Sequence, residues 1–188
     1  GLYDLLVGDP AVRPGPREGR AACEAATSER HAVGLVGAGT GCTTGTWRGV
    51  EHGCDGGLVA ASTRIGEVVI AALVAVNAAG TVGLDPTTSE GAAAVGEADA
   101  HTNQPFGNTT IGVVATNARI DKSGCLLLAQ SAHDGLARSV FPSHGRSDGD
   151  AFVAAATGEV DADLDLLRAA TIAVVARAIG GLGVSASS

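Results

Sequence analysis

Apolar positions along this chain fall into two patterns. Short unbroken runs occupy 31–36, 57–64, 67–76, 109–116 and 150–156, and β-branched residues are frequent in them. Runs of that length and composition predict strands, 67–76 most clearly. A helical period marks the second pattern. Residues 122–140 place Leu126, Leu127, Ala129, Ala132, Leu136 and Val140 on one apolar side. Residues 161–179 predict another helix, with acids in its first turn and Gly180-Gly181 past its end, and 19–29 a short one. Residues 8–18 hold three prolines and read as irregular loop. Residues 83–107, rich in Gly, Ala, Thr, Ser, Glu and Pro without a sustained period, read as a flexible linker. Strands interleave with helices, so the expected class is α/β or α+β with helices layered on sheet.

Composition narrows this picture. A chain of 188 residues is long enough for one domain, or most of one, and for a core without metal or disulfide staples. Hydrophobic residues make up 45% and aromatics 3%, with 28 glycines and no G-X-Y period, which excludes disordered and collagen-like chains. The small apolar residues suit tightly spaced layers. A net charge of −8 with no basic cluster argues against nucleic-acid or anionic-membrane partners. The longest apolar run, 68–79, is interrupted by Asn77 and falls short of the roughly 18 residues of a spanning helix. Cys23, Cys42, Cys54 and Cys125 lack C-x-x-C or zinc-finger spacing. They read as reduced thiols of a cytoplasmic protein, and no metal or other cofactor is expected. The chain begins at Gly1 within the apolar stretch 2–7, which suggests a processed or incomplete chain, and no signal peptide is visible.

Three segments carry candidate chemistry. The turn Gly37-Ala-Gly-Thr-Gly-Cys-Thr-Thr-Gly45 follows a strand pattern and invites a dinucleotide reading. Cys42 stands where the fingerprint's third glycine belongs, and the following residues are glycine-broken, so tight turns or close backbone approach fit better. The second segment is Phe106-Gly-Asn-Thr-Thr110, where the linker ends and a strand begins. If the Asn108–Thr109 bond is cut, Thr109 gains an α-amine with a pKa of roughly 7.7–8.0. That amine can serve as general base for the hydroxyl of its own residue. Spacing alone favours a plain loop-to-strand junction over this reading. In the third, Asp148 and Asp150 flank Gly149 in extended chain and can face the same way as a carboxylate pair; D-G is also an ordinary turn. His133 and His144 read as structural or surface residues, and Trp47 and Arg48 as pocket-lining candidates.

Taken together, Gly107-Asn-Thr-Thr-Ile-Gly-Val-Val-Ala-Thr-Asn-Ala118, Ala132-His-Asp-Gly-Leu-Ala-Arg138 and Asp148-Gly-Asp-Ala-Phe152 resemble the P1 (DmpA-like) family of self-processing aminopeptidases and amidases. That family includes nylon-oligomer hydrolase and β-aminopeptidases. Gly8-Asp-Pro10, Ala21-Ala-Cys-Glu-Ala-Ala26, Val36-Gly-Ala-Gly-Thr-Gly41 and Ala71-Ala-Leu-Val-Ala-Val-Asn77 match in the same order, so the resemblance covers nearly the whole chain. It implies an α+β, αββα layered sandwich of N-terminal-nucleophile type, with the N-terminal part of the fold missing from this chain. It implies scission at Asn108–Thr109 into the end of an α chain, 1–108, and a β chain, 109–188. By the same match Thr109 is the nucleophile, Asn77 a donor to nucleophile or oxyanion, Asp148 and Asp150 the acids that orient the free amine, and Tyr3 a pocket or oxyanion contact.

The resemblance further implies hydrolysis of small peptides, amino-acid amides or ω-amino-acid oligomers through an acyl-enzyme. The implied partners are a companion segment completing the fold and a homo-oligomer of αβ units. Two departures set this chain apart. Thr46 follows Gly45 where the family commonly has Lys, and Asp55 precedes Gly56-Gly57 where Lys is also frequent. Arg48 can replace a charge but not give up a proton. The alternative expectation is therefore a non-catalytic or acyl-transferring member that keeps the fold, and a nucleotide-binding domain is the generic one.

Overall fold

The computed structural model describes residues 2, 8–9, 11–27, 29, 31–98 and 107–184. In chain order these form α1 (Pro16–Glu24), β1 (Thr43–Thr44), β2 (Cys54–Asp55), β3 (Gly57–Ile65), β4 (Val68–Val76), β5 (Thr81–Val82), α2 (Ser89–Glu97), β6 (Ile111–Ala118), α3 (Lys122–Ala137), β7 (Val140–Phe141), β8 (Ala151–Val160) and α4 (Leu164–Val184). The central sheet has the order β3-β4-β6-β8. Pairing is antiparallel from β3 through β6, and β6 and β8 run parallel. The parallel pair needs a crossover, and α3 supplies it. Two short ladders, β1–β2 and β5–β7, flank the sheet.

Helices α3 and α4 pack on each other and on the same face of the sheet, α4 across β3 and β4 and α3 across β8. Val68, Ile70, Ala72, Val74 and Val76 of β4 point into that layer with Val114, Leu128, Leu136, Leu167, Val175 and Ile179. Helices α2, α3 and α4 are each started by a side chain that satisfies a free backbone donor. Asp121 accepts from Gly124 N–H at 2.7 Å, Thr88 from Gly91 N–H at 3.1 Å, and Asp163 from Leu166 N–H at 2.8 Å. The second face of the sheet is also apolar. Register aligns Ala60, Leu73, Val113 and Val153 in one row across it, and His31 and Val33 border a groove there.

The main strands and the two long helices match the hydrophobic pattern, with several corrections. The run 31–36 is not a strand: Gly34 makes a single bridge to Leu58, with φ of +92° breaking the extended chain on that residue. The first helix lies at Pro16–Glu24 rather than 19–29. Residues 83–107 are not wholly a flexible linker, because α2 occupies Ser89–Glu97 and buries Gly91 and Ala94; residues 99–106 lie outside the described ones. On α3 the buried stripe runs through Leu128, Ala132 and Leu136, and Leu126 turns outward at 60% exposure. Strand β8 extends to Val160, and α4 continues through Gly180-Gly181.

Candidate active site

Strand β4 delivers Asn77, and β6 begins just after Thr109 and Thr110, so the antiparallel pair brings both ends together. Thr109 N–H donates to Asn77 O at 2.6 Å, and Thr43 N–H donates to Asn77 Oδ1 at 2.9 Å. Asn77 is 1% exposed, and its engaged oxygens are what a buried amide needs. On the other side, Asn108 bridges Asp148 in parallel, its carbonyl accepting Gly149 N–H at 3.0 Å. Ala151 N–H donates to Thr110 O at 2.9 Å and carries the pairing on into β8. Thr109 is thus buried and clamped through the backbone by upstream and downstream segments. Its hydroxyl donates to the Asn108 carbonyl oxygen at 2.6 Å, against the bond the sequence singles out.

The acids 148 and 150 hold the frame around this junction. Asp148 Oδ1 accepts Ala79 N–H at 3.1 Å and Oδ2 accepts Gly145 N–H at 2.8 Å. Burial pushes the Asp148 carboxyl above the ordinary carboxylate value despite those two donors, and the nearby Asp150 charge adds to the rise. Asp150 Oδ1 accepts Thr110 N–H at 2.8 Å, and Oδ2 lies 2.9 Å from His144 Nδ1. His144 adopts φ of +56°, unusual outside glycine, and its ring centroid lies 5.0 Å from that of His133. His133 in turn meets the Phe152 ring edge-on. Burial, with the neighbouring His144 second, lowers the proton affinity of His133. His144 therefore belongs to the site through Asp150. Its sequence signal, a histidine six residues before an acid, is too common to single out.

The glycine-rich segment forms short 3-10 turns, reaches Asn77 through Thr43 N–H, and opens no α-helix. A β-carbon at Gly39 would stand 2.3 Å from Leu58 N, so close backbone approach explains that glycine. Trp47 N–H donates to Ala79 O and its indole N–H to Thr81 Oγ1, both at 3.0 Å. Arg48 pairs with Glu97 at 3.2 Å. Thr46 sits in the turn before Trp47, and Asp55 is exposed on β2. Tyr3 lies outside the described residues. Cys42 is buried, Cys125 half-buried, and Cys23 and Cys54 exposed, all four unbridged. Among the described residues no acid, His or Cys cluster could hold a metal ion, and no helix is long and apolar enough to cross a membrane.

A mixed sheet with helices on one face and a buried Thr heading an inner strand is a known α/β arrangement. L-aminopeptidase D-Ala-esterase/amidase from Ochrobactrum anthropi, described as a new variant among the Ntn hydrolase fold, has a TM-score of 0.66 at 22% identity, over 90% of this chain and 49% of that one. A Burkholderia sp. β-aminopeptidase has a TM-score of 0.64 at 28% identity, over 87% and 50%. The fold is therefore of the mixed α/β, Ntn-hydrolase-like class. The model of peptidase family S58 matches residues 2–185, and the chain belongs to that family. It is 36% identical over 181 residues to an uncharacterized aminopeptidase of Mycobacterium leprae, covering 86% of this chain and 49% of that protein. It is 30% identical over 182 residues to a 6-aminohexanoate-oligomer endohydrolase of Paenarthrobacter ureafaciens, covering 85% and 49%. The chain spans about half the length of these relatives.

Proposed function

We propose that this chain is part of a self-processing N-terminal-nucleophile amidohydrolase whose nucleophile is Thr109. The observation that carries the reading is the Thr109 hydroxyl 2.6 Å from the Asn108 carbonyl oxygen, in a backbone clamped on both sides, within a chain of peptidase family S58. Scission between residues 108 and 109 frees the α-amine of Thr109. That amine takes the Oγ proton as the oxygen attacks a substrate carbonyl, and an acyl-enzyme and a free amine result. Water then releases the acid. Asn77, its Oδ1 held by Thr43 N–H, is the proposed amide donor to the nucleophile or the oxyanion. Asp148 and Asp150 hold the segment around the new amine, and with the raised pKa of Asp148 the pair is suited to share a proton with it.

The relatives' names support a proposed substrate class of small peptides, amino-acid amides or ω-amino-acid oligomers. The apolar second face of the sheet supports a further layer supplied by a companion segment, which would complete an αββα sandwich, and assembly of such units into a homo-oligomer. A cytoplasmic setting fits the four unbridged thiols.

Intact-mass measurement of the purified protein tests this reading. Two fragments meeting at Asn108 and Thr109 are expected, and the Thr109→Ala chain should stay whole. A whole wild-type chain that leaves amide substrates untouched would overturn it. Thr46 and Asp55, standing where lysine is usual, favour one second reading, a specialised member without efficient hydrolysis. A chain that splits before Thr109 yet turns over no amide would select it.

A further inference from the structure

We infer that the main-chain N–H of Gly149 is the oxyanion donor of self-cleavage, and that position 149 is glycine because a β-carbon there would stand too close to the hydroxyl of Thr109. The inference rests on the reading that the Asn108–Thr109 bond is cut, and it assigns the group that acts on that bond.

Both reacting atoms touch this one residue. Gly149 N–H points at Asn108 O from 3.0 Å, within the isolated parallel bridge between Asn108 and Asp148. A β-carbon built on Gly149 would lie 2.8 Å from Thr109 Oγ1, inside van der Waals contact. It would lie 3.8 Å from Thr109 Cβ and Cγ2, so the hydroxyl alone is crowded. Two donors share the Asn108 carbonyl in the uncut chain, the Thr109 hydroxyl at 2.6 Å and the Gly149 amide. When the hydroxyl swings to attack, its donation is lost and the amide remains.

The chemistry then balances on named atoms. A bond forms between Thr109 Oγ and the Asn108 carbonyl carbon. The carbonyl π pair moves onto Asn108 O, where Gly149 N–H is already aimed. The Oγ proton passes to Thr109 N, the pair returns, and the carbon–nitrogen bond breaks with its electrons on nitrogen. An ester between Asn108 and Thr109 Oγ and a free amine result. Water hydrolyses the ester to the Asn108 carboxylate and the Thr109 hydroxyl. A fixed N–H at a developing oxyanion is worth most when it needs no reorientation.

Rigidity comes from the acids on either side. Asp148 holds Ala79 N–H and Gly145 N–H, one on each carboxylate oxygen. Asp150 holds Thr110 N–H and sits against His144 Nδ1. The peptide between them is therefore pinned at both ends. Acid-glycine-acid acts here as a frame that aims one amide, in addition to any role the carboxylates have toward the freed amine.

Cell-free synthesis followed by timed intact-mass measurement tests this. Gly149→Pro removes the donor, and Gly149→Ala keeps it but adds the β-carbon. Both should accumulate uncut chain, and the Pro variant should cleave about 10²–10³-fold more slowly than wild type, with circular dichroism checking that each folds. Either folded variant cleaving at the wild-type rate would overturn the inference. A second measurement leaves residue 149 untouched. In the uncut Thr109→Ala chain, NMR should detect a through-hydrogen-bond coupling between Gly149 ¹⁵N and the Asn108 carbonyl ¹³C. An absent coupling with a rapidly exchanging Gly149 amide would also overturn it. A wild type that never splits defeats the self-processing reading and this inference together; a wild type that splits beside equally fast variants defeats this inference alone.

Discussion

His133 and Asp148 titrate in opposite senses from the same corner of the site. Burial and His144 lower the His133 pKa, so the folded chain resists a proton that the unfolded chain accepts. Below about pH 6.5 the unfolded state binds more protons, and stability falls as pH drops toward the lowered value. Asp148 works the other way. Its carboxyl binds a proton more tightly when folded, so stability rises as pH falls from its raised value toward the ordinary carboxylate range. Urea midpoints of the uncut Thr109→Ala chain, measured from pH 7.5 to pH 5, should therefore decline, and His133→Gln in that background should flatten the decline. Parallel curves for the two chains would show that His133 is not the sensor. At this scale the candidate residues were legible only through their linear motifs taken together. Thr109, Asn77, Asp148 and Asp150 fell within linear motifs, and the structure gathers all four around one peptide bond. Gly149 and His144 act through a backbone amide and through another side chain, and neither leaves a signal in residue type alone.

Elements were legible in proportion to how strongly burial patterns them. The β4 run, apolar at every position from Val68 to Val76, is a strand by pattern and in fact. Helix α2 escaped because Ala and Gly dominate it: a short helix that buries only Gly91 and Ala94 produces almost no apolar period. The stretch 31–36 failed in the opposite way, with ample apolar residues but only one bridge to hold it extended. Helix α3 was found but partly misphased. Leu136 is fully buried between α3, α4 and the sheet, whereas Leu126 is 60% exposed. Leu136→Ala should cost about 2–5 kcal/mol in denaturant unfolding, and Leu126→Ala should stay within about 0.5 kcal/mol. Equal losses at the two positions would contradict the phase of the helix.

The whole molecule is organised around the proposed cut rather than to either side of it. The ladder from Ile70↔Thr116 to Ala75↔Ile111 joins a strand before residue 108 to a strand after it. Helix α4, from the end of the chain, lies across β3 and β4 from its middle. Scission at Asn108–Thr109 would leave this packing in place, so the two pieces should elute together and part only in denaturant. What changes is molecularity. An uncut chain refolds alone, at a rate and midpoint indifferent to its concentration, whereas two pieces must first find each other, and their midpoint falls with dilution by mass action. Thermal melts across a hundredfold dilution should shift for the cut protein and stay fixed for Thr109→Ala. Under the proposed scission, the fold that positions Thr109 would make its own assembly a one-time event, first-order while the polypeptide is continuous and second-order ever after.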